Sequence, residues 1–381
     1  MSRGYREAKG DVMWIIDCNV WTSPATAGNM VDLLCGFATP NNPTSQRTKK
    51  YKFVHQLPLV IDVSSPSSLS HPSSLKHISG ISGGHLEETF LSTSHAKFYT
   101  AISRVAIAPC IVGKSNMFRL SHLNALTSTN PLRSPGIDYF SDNICEDHLI
   151  GDLLWRSPVP RAVRAQAEKE GGLPGSSMAK WGNHALLPRS LAIQPVADMP
   201  LSSYLNRRIR WLRVRKFTVT LATSVEPGTE SLLCSFYGAF GLTSLPLCNS
   251  LLHIPRTWPM FLLLWLASAT CWMLLDYLIW RRLQSGQTLE KDDVPAFTRR
   301  RRKPWREWVV AWLGREVLAL PVWVWAVAGG VTVVWRGRRF WVGVDMKVHE
   351  IREEGEGEME RMNGNGHGVV NGLGRKAILS R

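Results

Sequence analysis

The sequence has no closely spaced cysteine pair. Its seven cysteines, Cys18, Cys35, Cys110, Cys145, Cys234, Cys248 and Cys271, lack the short spacings of a zinc site or a small disulfide framework. This pattern fits a reducing, cytosol-facing domain. Acidic residues are few beside basic ones, 30 against 45, leaving a net charge of +15. Such an excess would suit nucleic acid, but no helix-turn-helix or zinc-finger pattern is present and the arginines flank apolar segments. The expected partner is therefore a lipid bilayer, with no nucleic acid. The Gly113-Lys114-Ser115 turn lacks the earlier glycine of a phosphate-binding loop, since Ala108 stands in its place, and this removes an ATPase reading. The opening MSRGYREAKGD reads as neither a signal peptide nor an anchor.

What the chain does have is tryptophan, 16 residues of it, and several uncharged apolar runs, which indicate that part of it is solvated by lipid. The stretch Tyr204–Phe217, YLNRRIRWLRVRKF, braids Arg207, Arg208, Arg210, Arg213, Arg215 and Lys216 with apolar residues. As a helix it gathers Leu205, Ile209, Leu212 and the Lys216 stem on one face, and residues 204–218 read as an interfacial helix. Its arginines would meet lipid head groups or ligand phosphates, and Trp211 is a side chain that settles at an interface.

Before it lies an α/β pattern over residues 1–203. The apolar run Val12–Ile16 predicts a buried strand of a mixed or parallel sheet, with Asp17 at its carboxyl end. A carboxylate there either caps the next turn or holds a divalent cation against a diphosphate. A helix is expected within Val20–Phe37, capped near Ser23 or Thr26, a strand within Tyr51–Val63, and a further helix over Leu86–Thr100. From Ile107 the sequence predicts an apolar strand ahead of the Gly-Lys-Ser turn. Glu146 and Asp147 open a helix, where they serve either as ordinary N-terminal charges or with Asp147 as a general base and Glu146 as its structural partner. Insertions near 64–85 and 157–179 are rich in Ser, Pro, Gly or charge and read as disordered loops, with His71, His77 and His85 solvated. Leu186–Val196 is a candidate strand leading to the basic helix.

The region 231–341 reads as membrane, with candidate spans at 231–252, 258–279 and 317–335. Asp276 is expected to face protein or the boundary, and the half-helix carrying Arg315 and Glu316 to lie in the interface. The arginine-rich loop 281–306 and the basic helix fall on the same, cytosolic side. The side of the 350–381 tail stays open: Arg336, Arg338 and Arg339 argue for the cytosol, a third crossing against it. From Glu350 onward the composition reads as disordered.

The inner pattern Arg207-x-x-Arg210-Trp211 resembles the (R/Q)xxRW signature of inverting, membrane-bound glycosyltransferases of the GT-A type. Around it stand, in order, GYREAKGDVMWIIDCNVW, TSHAKFYTAISRVAIAPCIVGKSNMFR, the Glu146-Asp147 pair, RRIRW, VEPGTES, LLDYL and WRGRRF. Together they resemble the ceramide glucosyltransferase family in its fungal form. The resemblance implies an α/β fold: a partial GT-A (nucleotide-diphospho-sugar transferase) domain followed by C-terminal transmembrane helices. It implies transfer of glucose from UDP-glucose to the primary hydroxyl of ceramide with inversion, at an endoplasmic reticulum or Golgi membrane. By it Asp17 matches a family aspartate at a divalent cation (Mg or Mn), Asp147 the base, and Arg207, Arg210 and Trp211 the motif over acceptor and leaving group. His95 and Cys110 match positions associated with the nucleotide-sugar or inhibitor site. The family's amino-terminal anchor, first nucleotide-binding units and first aspartate have no counterpart here, so the chain is expected to be truncated and weakly active or inactive. Two rivals stand beside this reading: a processive polysaccharide synthase and a non-catalytic membrane fragment.

Overall fold

Strand β2, Lys49–Asp62, organises the sheet of the α/β domain. In the computed structural model the described residues are 2–37, 49–64, 82–109, 111, 113–129, 131, 133–170, 180–290, 293–299, 303–335 and 337–351. The sheet runs β1-β3-β2-β4, with β1 at Val12–Ile16, β3 at Ser115–Arg119 and β4 at Lys180–Val196. The pairs β1–β3 and β3–β2 are antiparallel and β2–β4 is parallel, so the sheet is mixed. Alternation along β2 serves two cores. Phe53 packs with Phe118, Leu123, Ile150 and Leu154 on one face, while Val54 meets Met30, Leu34 and Met117 on the other.

Several expectations need correction. Strand β1 is an edge strand held by β3 alone, and it is only half-buried. Met13 and Ile15 join one core and Val12 and Trp14 the other, which explains the unbroken apolar run, but its outer edge is open among the described residues. The strand expected from Ile107 begins instead at Ser115, on the serine of the Gly-Lys-Ser turn, because the helix Ser94–Val105 runs into the preceding segment and ends at Ala106 with φ 55°. The helix expected within Val20–Phe37 is Thr26–Cys35, with no side-chain cap, closed by Gly36 in the left-handed region at φ 74°.

His85 is not solvated. It lies in the first turn of the helix Gly83–Ser92, capped by Ser82, with Nε2 3.4 Å from Asp62. Within 157–179, residues Arg161–Glu170 form a helix that buries Val163 and Ala167. Glu170 pairs with the buried Arg119 at 2.8 Å, and Asp11 holds the same guanidinium at 2.9 Å, which ties this helix to the sheet. The stretches 65–81 and 171–179, with His71, His77, Cys110, Arg300, Arg301, Arg302 and the tail past Ile351, fall outside the described residues.

Among the described residues two helices are long and apolar enough to cross a membrane, Trp258–Gln284 and Trp305–Ala328. A shorter pair, Ser231–Ser244 and Pro246–Leu252, is bent by 73°. The third apolar helix therefore starts before the expected 317, and it ends at Ala328, where Gly329 and Gly330 break it and β-branched residues begin strand β5, Thr332–Trp335. Strands β6, Arg338–Val342, and β7, Val348–Glu350, complete a small antiparallel sheet with it. Arg315 and Glu316, expected in the interface, are buried in protein instead. Arg315 meets Asp276 at 3.4 Å, Glu230 at 3.5 Å and the Thr93 hydroxyl at 3.1 Å, and it also contacts Ser94 and Glu316. Asp276 is likewise enclosed, pairing with Lys97 at 2.5 Å and accepting from the Trp312 indole at 2.8 Å. A charge in an apolar helix is tolerated when protein supplies its counter-charge, and here each supplies the other's.

Candidate active site

The end of β1, the turn leading into β3 and the helix Glu146–Arg156 meet around Asp17, Gly113, Lys114 and Asp147. Asp17 follows the last residue of β1, and its Oδ2 accepts from Lys114 Nζ at 2.7 Å. The preceding residue, Gly113, turns its backbone N–H to the Asp147 carboxylate. A β-carbon on Gly113 would stand 3.0 Å from Asp147 Oδ2, so any other residue there would press the carboxylate aside by a few tenths of an ångström. One dipeptide thus brings together two carboxylates 130 residues apart (147 − 17).

Asp147 is crowded by protein yet keeps part of its surface accessible. Burial raises its pKa, against amide hydrogen bonds from His148 and Gly113, and the Asp17 charge raises it further. Glu146 is pushed up to about 7 by burial and by the neighbouring Asp147. The sequence treated Glu146 as a structural partner. Its environment makes it a group that takes up and loses a proton near neutral pH.

The basic helix, Leu201–Thr218, passes close by: its Val214 packs with Ile144 and Cys145, and its Arg207 lies near Lys114. Arg207 is fixed by three contacts: Glu87 at 3.1 Å, the Gln194 amide oxygen at 3.4 Å, and the Trp211 ring 4.8 Å from its guanidinium carbon. Lys114 lies near enough to Arg207 for that charge, after burial, to lower its pKa, against the pull of Asp17. Arg210 is half-buried, and burial with the Arg207 charge lowers its pKa. Trp211 packs beside Val60, Phe90, Leu91 and Val196, and the face formed by Leu205, Ile209 and Leu212 is covered by Leu318, Val322 and Ala326. The apolar stripe of the basic helix is therefore filled by another helix where lipid was expected. Arg208, the most enclosed arginine of the helix, stacks on Phe90 at 3.7 Å and pairs with Glu226 at 3.0 Å.

His95 sits under the same helix, stacked on Tyr99 at 5.4 Å. Burial, followed by the charges of Arg208, Arg215 and Arg207, drives its pKa down to about 3, so the ring is neutral. The structure thus gathers Asp17 and Asp147 at one turn and Arg207, Trp211 and His95 under or along one helix. Sequence reasoning missed Glu87, Lys114 and Gln194. For Lys114 a signal existed, since the Gly-Lys-Ser turn was noticed but weighed only as a phosphate loop.

Among the described residues no three His, Cys, Asp or Glu side chains form a group able to hold a metal ion. Asp17 fits only the arrangement in which a single carboxylate shares a divalent ion with substrate phosphates. Lys114 engages one of its oxygens, and its side chain is 44% exposed.

Residues 172–348 match the model of glycosyl transferase family 21. A mixed α/β domain with this match, joined to long apolar helices, is a membrane-attached glycosyltransferase. The chain is 47% identical to a ceramide glucosyltransferase of Pyricularia oryzae, over 93% of this chain and 68% of that one. It is 40% identical to one of Gibberella zeae, over 93% and 70%, and 32% identical to one of Komagataella phaffii, over 92% and 68%. The chain belongs to the ceramide glucosyltransferase family.

Proposed function

We propose that the chain transfers glucose from UDP-glucose to the primary hydroxyl of ceramide with inversion, on the cytosolic face of an endoplasmic reticulum or Golgi membrane. The observation that carries this is the meeting of Asp17 and Asp147 on Gly113-Lys114, close to Arg207. Asp147 takes the proton of the attacking hydroxyl, and burial raises its pKa, which makes its carboxylate a stronger base. A positioned carboxylate of this kind contributes about 10²–10⁴-fold in rate. One base with a single displacement gives inversion.

Arg207, held in a fixed fork by Glu87 and Gln194, offers its remaining N–H groups to the departing diphosphate, with Arg210 beside it. Asp17 is the residue that would hold a divalent cation, Mg or Mn, and such an ion supplies positive charge against the developing diphosphate. Neutral His95 and Cys110 are assigned to the nucleotide-sugar site by family position.

Membranes containing the full chain are to be incubated with labelled UDP-glucose and ceramide. A lipid-soluble glycoside with a β-anomeric link is the expected product. A polymer would favour a processive synthase, and no labelled product in membranes where the folded chain is present would favour a non-catalytic role.

A further inference from the structure

The apolar segments leave the α/β domain and return to it, and the contacts at their ends fix how often each crosses a bilayer. Just before the first, Glu230 accepts from the Ser94 hydroxyl at 2.9 Å. At the end of the second, Gln284 donates to the Val60 carbonyl at 2.9 Å and the Ser92 hydroxyl at 2.8 Å. Both ends lie on the domain's side, so the stretch between them crosses an even number of times. The helix Trp258–Gln284, with Leu262, Leu263, Leu266, Leu274 and Leu278 exposed, is about 40 Å long at about 1.5 Å per residue, enough for a hydrocarbon core of about 30 Å. The bent pair Ser231–Leu252 supplies the other crossing.

The remaining apolar helix, Trp305–Ala328, is single, and it too is tied to the domain at both ends. Ahead of it Lys303 pairs with Glu88 at 3.0 Å and Asp62 at 3.3 Å. Behind it the β5–β7 sheet docks beside the segment 142–145 that leads into the helix Glu146–Arg156. Val348 N–H donates to the Asp142 carbonyl at 2.8 Å, the Asn143 amide donates to the Met346 carbonyl at 2.9 Å, and Val333 and Val342 pack with Val214, Ile144 and Cys145. Its carbonyl end is capped from the basic helix, by Arg213 on Gly329 at 2.9 Å and Lys216 on Gly330 at 2.8 Å. One helix with both ends on the same side makes no crossing.

We infer that Trp305–Ala328 is not a transmembrane span but lies along the membrane surface on the catalytic side, with its outer stripe seated in lipid. The stripe is Val310, Leu313, Val317, Leu320 and Val324, all exposed and spaced by alternating threes and fours. The opposite stripe, Trp308, Trp312, Arg315, Val322 and Ala326, is buried against protein. Lipid is the occupant because the helix begins at the basic end of a span, where Trp305 packs on Tyr277 at 4.5 Å and Trp308 on Trp280 at 6.1 Å. Its outer face therefore continues the lipid-facing surface of that span, while Arg315 and Glu316, costly in hydrocarbon, face inward. Ile351, the last described residue, then lies on the catalytic side. This inference rests on membrane attachment and not on the sugar-transfer reading, so either can fail without the other.

The test uses the full chain in sealed vesicles with the α/β domain outward, carrying one epitope at the C-terminus and, in a second version, one inserted within 253–257. The C-terminal epitope is expected to be open to protease, and the inserted one shielded until detergent is added. A shielded C-terminal epitope would overturn the surface placement, and an open inserted epitope would overturn the hairpin. Spin labels at Val310→Cys, Val317→Cys and Val324→Cys, with the native cysteines replaced, give a second readout. All three are expected at one depth, about 5–10 Å into the boundary. A depth change of about 21 Å from the first label to the last, at about 1.5 Å per residue, would mean a span and sink the proposal.

Discussion

Lys114 donates to Asp17 at 2.7 Å while the N–H of the residue before it donates to Asp147. This two-residue bracket sets the spacing and mutual electrostatics of the carboxylates, and the first prediction follows from it. Asp147→Asn removes the base but can keep the Gly113 hydrogen bond through its amide oxygen. Product formation is expected to fall about 10²–10⁴-fold with little change in melting temperature. Gly113→Ala, whose methyl would meet Asp147 Oδ2 at 3.0 Å, is expected to lower kcat more than KM, because it displaces the base. Steady-state kinetics on solubilised protein, with a thermal melt of each variant, checks both.

The second prediction concerns pH. Glu146 is raised from 4.5 to about 7 by burial and Asp147. Between those values the folded chain holds a proton that the unfolded chain has lost, so rising pH favours unfolding in that window. Wild type is expected to lose stability relative to Glu146→Gln between pH 5 and 8, by on the order of 1–3 kcal/mol. Denaturant melts of the two proteins across that range measure the difference. A constant offset would mean that Glu146 ionises normally in the fold.

Glu87 supplies the third. It is fully buried, and its ion pair with Arg207 spans 3.1 Å. Glu87→Ala frees Arg207 to leave its position, so activity is expected to drop although Glu87 does not reach the reacting atoms. If the two act as a unit, the loss in the Glu87→Ala, Arg207→Ala double variant will be smaller than the sum of the single losses by about 0.5–3 kcal/mol of transition-state energy. Additive losses would mean that Glu87 acts elsewhere.

The fourth lies at the membrane junction. Asp276 answers both Lys97 and Arg315, so Asp276→Ala leaves two cations with diminished compensation. Breaking one partner out of a buried ionic cluster costs about 3–5 kcal/mol. A clear fall in the melting temperature of the detergent-solubilised chain is expected, whereas Leu278→Ala, on the exposed side of the same helix, should melt close to wild type.

Much of the site could be read in the sequence because its parts are local patterns. An apolar run followed by Asp17, an acidic pair opening a helix, and an arginine-tryptophan spacing each carry their meaning within a few residues. What could not be read was convergence. Glu87, Gln194 and Arg207 meet across three separate elements, and nothing in the neighbourhood of Glu87 marks it as the partner of an arginine 120 residues onward (207 − 87). Arg315 and Glu316 were misjudged for the same reason: a charge in an apolar helix fits a wet boundary or a buried counter-charge equally well until the counter-charge is seen. The edge position of β1 escaped because its two faces are both packed, which gives the same unbroken apolar run as an interior strand.

At the joint between Trp258–Gln284 and Trp305–Ala328, the rings of Tyr277, Trp280, Trp305, Trp308 and Trp312 succeed one another at centroid separations of 4.5 to 6.4 Å. Chromophores that close share their excited states, and their ultraviolet dichroism depends on how they are tilted. The molecule thus carries its own optical gauge at that joint, one that would register the angle between the two helices without any attached dye.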